Sequence, residues 1–542
     1  MSRRAFLGGA AGAAVLGLGG TGVAAASTLD RGSSARWLGA GLLGRSVTEE
    51  RRRAVVIGSG FGGAVTALRL AKAGVPVLML ERGIRWPTGP NAETFPHMWS
   101  PDRRCSWLSP TPALGTVPPA VYRPYTGVME RVPGAGMDIV CGAGVGGGSL
   151  VYHGMTIQPT EANFATSMPS CIDYEPFDRD YYPRVKAMLR PAPIPDDVLC
   201  APSYRASRMF LDRVAASGRK GFRVPLPVDW DFARAELRGK MKPSYTTGDV
   251  IYGVNNGGKH SLDVTYIAAA EATGCVDIAV LHLVRDIERD AKGCWVVHVD
   301  RINTDGDVQE RKRITTDALF LGAGSAGTTR LLVKARAKGL IPDLPDGVGG
   351  RWGNNGDRIF TWSPLGDSPG ALQGGPACVG HKDWDNPAGA LTIVLGPVPF
   401  PVDARTTTLI GFGIVKPRGH FSYDPVRDDA VLQWSQTYDA EMTSAIRTRI
   451  RSIVGEGPLA ELTSSTIDTT ALDPSTYHPL GGATINHVCD THGRVLGQRG
   501  LYVTDGALIP GSTGACNPSL TIAALAERNM EAVICDDVDK IF

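Results

Sequence analysis

The chain has almost no excess of either charge. Its 56 Lys and Arg residues stand against 54 Asp and Glu, for a formal net charge of +2. A protein whose main partner is nucleic acid or an anionic membrane concentrates a basic field, so neither partner is expected. Metal-type cysteine spacing is missing as well. The ten cysteines are scattered with no CxxC pair and no paired Cys/His spacing, which excludes a zinc-finger-like site, and no metal is expected. Some of them could pair as disulfides outside the cell, but the connectivity is not legible, and a chain of 542 residues needs none to build a core. There is no internal repeat. Nor is there a run suited to stable membrane spanning, because the most apolar N-terminal stretch is short and glycine-rich. With 43% hydrophobic and 20% charged residues, the composition is that of a globular protein. The length allows two domains or one large interleaved unit.

What is present begins at the N-terminus. Ser2-Arg3-Arg4-Ala5-Phe6-Leu7 is a twin-arginine pattern, followed by a weakly apolar stretch to about Val23 and a small-residue site at Ala24-Ala25-Ala26. Residues 1–26 are therefore expected to be a signal peptide, with Ser27 as the mature start and a secreted or extracytoplasmic destination. This export route carries proteins that fold and load a cofactor before crossing. Residues 27–50 read as a tether, and Arg51-Arg52-Arg53 as a solvated segment leading into a strand.

Ala54-Val55-Val56-Ile57 is a short apolar run expected to form a buried parallel strand. Residues 62–73 show helical spacing, and Val77-Leu78-Met79-Leu80 gives a second strand, completing a β-α-β unit. Between strand and helix lies Gly58-Ser59-Gly60-Phe61-Gly62-Gly63, with Glu81 about 20 residues on. In this context Gly58 permits the tight turn, Gly60 lets a pyrophosphate approach the backbone, and Gly63 lets helix and strand pack closely. The helix N-terminus favours the phosphates. Glu81 is suited to ribose hydroxyls and disfavours a 2′-phosphate, so FAD or NAD fits and NADP does not.

A flavin needs further contacts far along the chain. Gly142-Ala143-Gly144-Val145-Gly146-Gly147-Gly148-Ser149 is a segment where backbone must run close to something bulky, and it is read as a cofactor-contacting loop. Trp295–Val299 is strand-like. Ala318-Leu319-Phe320-Leu321 is another buried strand, running into Gly322-Ala323-Gly324 and a helix from about Ala326 to Lys338. Leu501-Tyr502-Val503 is a strand, and Leu520 to Ile534 a closing helix. Strand-then-glycine signals at both ends predict an α/β fold. Its Rossmann-type FAD-binding domain is built from discontinuous segments (51–85, 108–150, 255–345 and 488–542). The inserted substrate-binding domain (86–107, 151–254 and 346–487) is expected to hold a mixed or antiparallel sheet and helices.

These segments together resemble the glucose-methanol-choline (GMC) family of FAD oxidoreductases, and within it the bacterial non-covalent cholesterol oxidases. The likeness runs from about Ala54 to the C-terminus. It is carried by Gly144–Val151, by Tyr477-His478-Pro479-Leu480-Gly481-Gly482, by residues 501–511, and by Asn517-Pro518 with Thr521–Asn529. The resemblance places His478 at the family's active-site histidine and Asn517 at its partner asparagine. It assigns Asp505 to the ribityl and diphosphate region and the backbone of Val284 to the adenine. Tyr152 and Pro518 stand beside the flavin. The implied activity is FAD-dependent oxidation of a bulky apolar secondary alcohol, sterol-like, to a ketone. Oxygen would be the acceptor, giving hydrogen peroxide, and the enzyme a monomer. A dehydrogenase with a different acceptor, and an inactive flavoprotein serving as a binding module, stay open.

Two departures stand out. The glutamate that moves the double bond in sterol oxidases falls on Val394, and residues 388–400 contain no Asp or Glu. Oxidation without isomerisation, or a substrate that is not a ring-unsaturated sterol, is expected. Tyr152-His153 replaces the family's Asn-Gly, and the position at which some relatives bond flavin to histidine falls on Val151, so non-covalent FAD is expected.

Overall fold

The computed structural model describes residues 47–90, 93–114, 121–399, 402–455 and 464–542. The expected signal peptide and nearly all of the expected tether lie outside the described residues.

One sheet is formed by seven strands: β1 (Val47–Ile57), β2 (Val77–Leu80), β3 (Val276–Ala279), β4 (His282–Arg289), β5 (Trp295–Ile302), β6 (Val308–Leu321) and β7 (Leu501–Val503). The order is β3-β2-β1-β6-β5-β4, with β7 on the far half of β6. β1 pairs in parallel with β2 and β6, and β7 in parallel with β6. The last four residues of β1 and all of β2 are buried, which is why both read as unbroken apolar runs rather than alternating ones. Helices α1 (Phe61–Lys72) and α3 (Pro518–Asp536) cover one face, while α2 (Gly324–Ala337) follows β6. Arg69 of α1 donates from Nε (2.5 Å) and from an Nη nitrogen (2.7 Å) to the fully buried carboxylate of Glu527 in α3.

The tether and the arginine run need correction. Residues 47–50 already belong to β1, paired from Val47↔Arg311 onward. The three arginines are strand residues whose side chains reach Asp317 (2.6 Å), Asp277 (3.0 Å) and Asp539 (2.5 Å). Partner strand β6 is long enough to extend β1 backwards, and this overrides the weak local propensity of a charged run.

The second sheet is antiparallel and has six strands, in the order 464–468, 358–364, 407–413, 391–396, 379–383, 221–223. Helices Arg205–Ala216 and Ala440–Val454 pack with it around a separate apolar core that includes Phe210, Leu391, Ile393, Leu409 and Ile446. A small three-stranded sheet joins the two halves. In it Ser475-Thr476 pairs with Asp138-Ile139, the strand that leads into the second glycine segment. That pairing sets the chain just before His478 beside the cofactor loop.

Candidate active site

A cavity of about 1820 Å³ runs between the two sheets. Small-ligand pockets usually measure ~300–1,000 Å³, so this one has room for a dinucleotide and a substrate together.

At one end the wall is backbone. The Gly58 N–H donates to Leu80 O at 2.8 Å. With φ +92, a β-carbon at Gly58 would lie 2.5 Å from Gly322 O. At Gly62 it would lie 2.0 Å from Thr504 O, and at Gly63 2.0 Å from Gly58 O. Gly60, by contrast, has nothing closer than 3.9 Å, and Gly148 nothing within 4 Å, so both open onto free space. The second glycine loop leans on the first, since a β-carbon on Gly147 would come within 2.9 Å of Gly60 Cα. Glu81 is 5% exposed. It accepts from Ser59 Oγ (2.6 Å), Gly83 N (2.8 Å) and Gly144 N (3.2 Å), tying the two loops together.

Asp505 closes the same end. Its Oδ2 accepts from Gly324 N (2.9 Å) and Thr328 Oγ1 (2.5 Å), and Oδ1 from Ala507 N (2.8 Å). Burial pushes its carboxyl up to about 6 despite these bonds.

At the other end side chains carry the chemistry. His478 Nδ1 lies 2.6 Å from Asp357 Oδ1, and Asn517 Nδ2 lies 3.1 Å from His478 Nε2. The second carboxylate oxygen of Asp357 accepts from Thr476 Oγ1 (2.7 Å) and from the backbone N–H groups of Tyr477 (3.0 Å) and His478 (3.1 Å). Such a carboxylate accepts only, so Nδ1 carries the proton and Nε2 presents its lone pair to the Asn517 amide. The Oδ1 of Asn517 is buried without a partner, an orphan acceptor of the kind that marks a missing ligand. Phe412 stands edge-on to the imidazole, with ring centroids 5.9 Å apart.

The structure brings most of the sequence-derived positions to this one cavity. Gly58, Gly60, Phe61, Gly62, Glu81, Gly142, Gly147, Gly148, Tyr152, Val284, His478, Asp505, Asn517 and Pro518 all line it. Gly63, Gly144, Gly146 and Ser149 are not among its lining residues. Gly63 packs helix against strand. Gly144 lies where a β-carbon would be 2.5 Å from the Trp86 ring. The Gly146 N–H donates to Ser59 Oγ (3.1 Å), while Ser149 Oγ donates to Gly146 O (2.7 Å) and accepts from Leu262 N (2.9 Å). These residues shape the loop from behind. Sequence reasoning missed Asp357, Thr328 and Arg82. The Arg82 guanidinium lies 5.0 Å from the Trp107 ring centroid and pairs with Glu130 on the cavity wall.

The flanking pair Tyr152-His153 splits. Tyr152 packs on Phe61 with ring centroids 5.6 Å apart, under the buried Lys259 ammonium, and its hydroxyl has no partner. His153 turns to the second sheet, where its Nδ1 accepts from Ala377 N at 3.3 Å.

Residues 419–526 match the family described as GMC oxidoreductase, and residues 56–111 the NAD(P)-binding Rossmann-like domain. With this fold and site, the chain is an FAD-dependent alcohol oxidoreductase whose C-terminal part matches the GMC oxidoreductase family. It is 29% identical to a cholesterol oxidase of Mycobacterium tuberculosis over 88% of this chain and 89% of the relative. It is 23% identical to a cholesterol oxidase of Acinetobacter baumannii over 88% and 94%. In fold it is similar to pyridoxine 4-oxidase from Mesorbium loti, with a TM-score of 0.60 at 15% identity over 89% of this chain and 98% of that one. The glycine cradle, the open faces at Gly60 and Gly148 and the orphan acceptor on Asn517 fit FAD.

Proposed function

We propose that this protein is an exported, monomeric FAD oxidase. It converts a bulky apolar secondary alcohol, sterol-like in shape, to the ketone and passes the electrons to oxygen as hydrogen peroxide. The observation that carries this reading is the Asp357–His478–Asn517 chain facing a wall of Ile359, Pro397, Val398 and Ile410.

FAD, when bound, supplies the hydride acceptor; Gly60, Gly148, Glu81 and Asp505 are placed to hold it. The substrate carbinol replaces the Asn517 amide as partner of His478 Nε2, which accepts the hydroxyl proton as the C–O bond gains double-bond character. Asp357 keeps the Nδ1 proton in place and stabilises the imidazolium that forms. Asn517 then donates to the substrate oxygen. The apolar wall excludes water from the reacting carbon.

Two finer points belong to the same proposal. Val394 pairs with Gly380 and with Ile410 of the cavity wall, and it is fully buried. No carboxylate within residues 388–400 can shuttle a proton, which supports oxidation without double-bond migration. FAD is held without a covalent bond: Val151 occupies the linking position, and His153 turns to Ala377.

The test is anaerobic flavin bleaching by a panel of sterols and other secondary alcohols, followed by re-aeration and a peroxide assay. Bleaching with prompt peroxide is expected. Bleaching that persists in air would make it a dehydrogenase with another acceptor. A conjugated enone from cholesterol would overturn the loss of isomerisation, and flavin co-precipitating with acid-denatured protein would overturn non-covalent binding. Export is checked by fractionation of an Arg3→Lys, Arg4→Lys variant, which should stay in the cytoplasm. A sedimentation measurement giving more than one chain per particle would overturn the monomer.

A further inference from the structure

His153 is the one imidazole besides His478 among the described residues lining this part of the cavity, and the mechanism does not use it. Its hydrogen bonding fixes what it can do. The Ala377 N–H occupies Nδ1 as a donor at 3.3 Å, so in the neutral ring the proton sits on Nε2. The surroundings keep the ring neutral, since burial, and secondarily the Lys259 ammonium, push its pKa down to about 4. The hydrogen bond found for the ring is the one at Nδ1, and the residue lines the cavity. The residue therefore presents a fixed donor.

The cavity wall on this side is mostly apolar, with the Lys259 ammonium as the nearby charge. Ala377 stands two residues from Gly375, where a β-carbon would be 3.0 Å from the Pro397 ring. Pro397, Val398, Met155 and Ile251 line the cavity. Tyr152 points to the fingerprint through Phe61, while His153 points away from it to the second sheet. A lone donor in an apolar wall is costly unless an acceptor reaches it.

We propose that His153 is a specificity-determining residue whose Nε2–H donates to a second oxygen on the substrate, a ketone or ether remote from the reacting hydroxyl. The preferred substrate class is then a bulky secondary alcohol bearing a distal acceptor oxygen rather than a hydrocarbon-tailed one. This inference rests on the alcohol-oxidase reading above.

The experiment compares two 3-hydroxysteroids that differ only by a ketone at the far end of the ring system, assayed on flavin-loaded parent enzyme, His153→Leu and His153→Asn. The keto compound should show the lower KM in the parent. His153→Leu should raise that KM about 5- to 10-fold, leave the KM of the plain compound and both kcat values unchanged, and leave the flavin absorption spectrum unaltered. His153→Asn, which keeps an N–H donor, should recover most of the loss. Equal KM values for both steroids in the parent would overturn the inference and leave the oxidase reading standing. A shifted flavin spectrum, or an equal loss for both compounds, would assign His153 to the cofactor or the fold instead. No bleaching by either would overturn the oxidase reading itself.

Discussion

The cofactor end and the alcohol end of this cavity are built by opposite means. The cofactor end is made of backbone, with glycines at positions where a single β-carbon would lie 2.0–2.9 Å from another main-chain atom. The alcohol end is made of side chains projecting from strands and loops whose own packing is finished elsewhere, in the core around Phe210 and Ile446. The first kind of wall cannot vary without losing its ligand. The second can be rewritten residue by residue.

Breaking the backbone wall should have the largest effect. Gly62→Val drives a side chain into the Thr504 carbonyl, and overpacking against backbone finds no cheap relaxation. The flavin-to-protein absorbance ratio should fall below about a tenth of the parent value, with turnover lost in proportion; full flavin occupancy would end the comparison as drawn. His478→Gln should lower kcat/KM by about 10²–10⁴ with flavin content unchanged, which separates the two walls cleanly. Asp357→Asn acts only through the imidazole. Its expected loss is ~10- to 100-fold, the range seen when an orienting partner is removed, and the flavin spectrum should not move.

The smallest effect is one of stability. The Asp505 carboxyl is raised to about 6 by burial in the apoprotein, against roughly 3.9 in an unfolded chain. Between those values the folded state binds a proton that the unfolded state does not. The contribution is therefore fully present below about pH 4 and is lost as pH rises through about 6, by ~2–3 kcal/mol. Melting temperatures of apo Asp505→Asn measured across that window should be flat where the parent's decline.

The same contrast explains what was legible before the structure. The fingerprint from Gly58 to Gly63 and the acid at Glu81 could be read because close main-chain approach demands glycine at set spacings, and each spacing is local. Gly144 and Gly146 looked alike from sequence, yet they face Trp86 and Ser59 rather than the cavity, because a glycine records crowding without saying by what. His478 and Asn517 came from resemblance, since a lone imidazole or amide carries no periodic signal. Asp357 was missed because it lies 121 residues from its partner, and its only local mark is the turn-forming run Asn354-Asn355-Gly356. The arginines at 51–53 were misjudged because β6, not their own propensity, makes them a strand.

Arg69 and Glu527, which clamp α1 to α3, stand 458 residues apart, and Gly62 rests on Thr504 from the other end of the chain. A polypeptide that stops before Thr504 lacks the floor of the phosphate cradle. Flavin capture therefore depends on contacts made between distant parts of the chain. A yellow protein is one whose most non-local contacts, the slowest to form, are already in place.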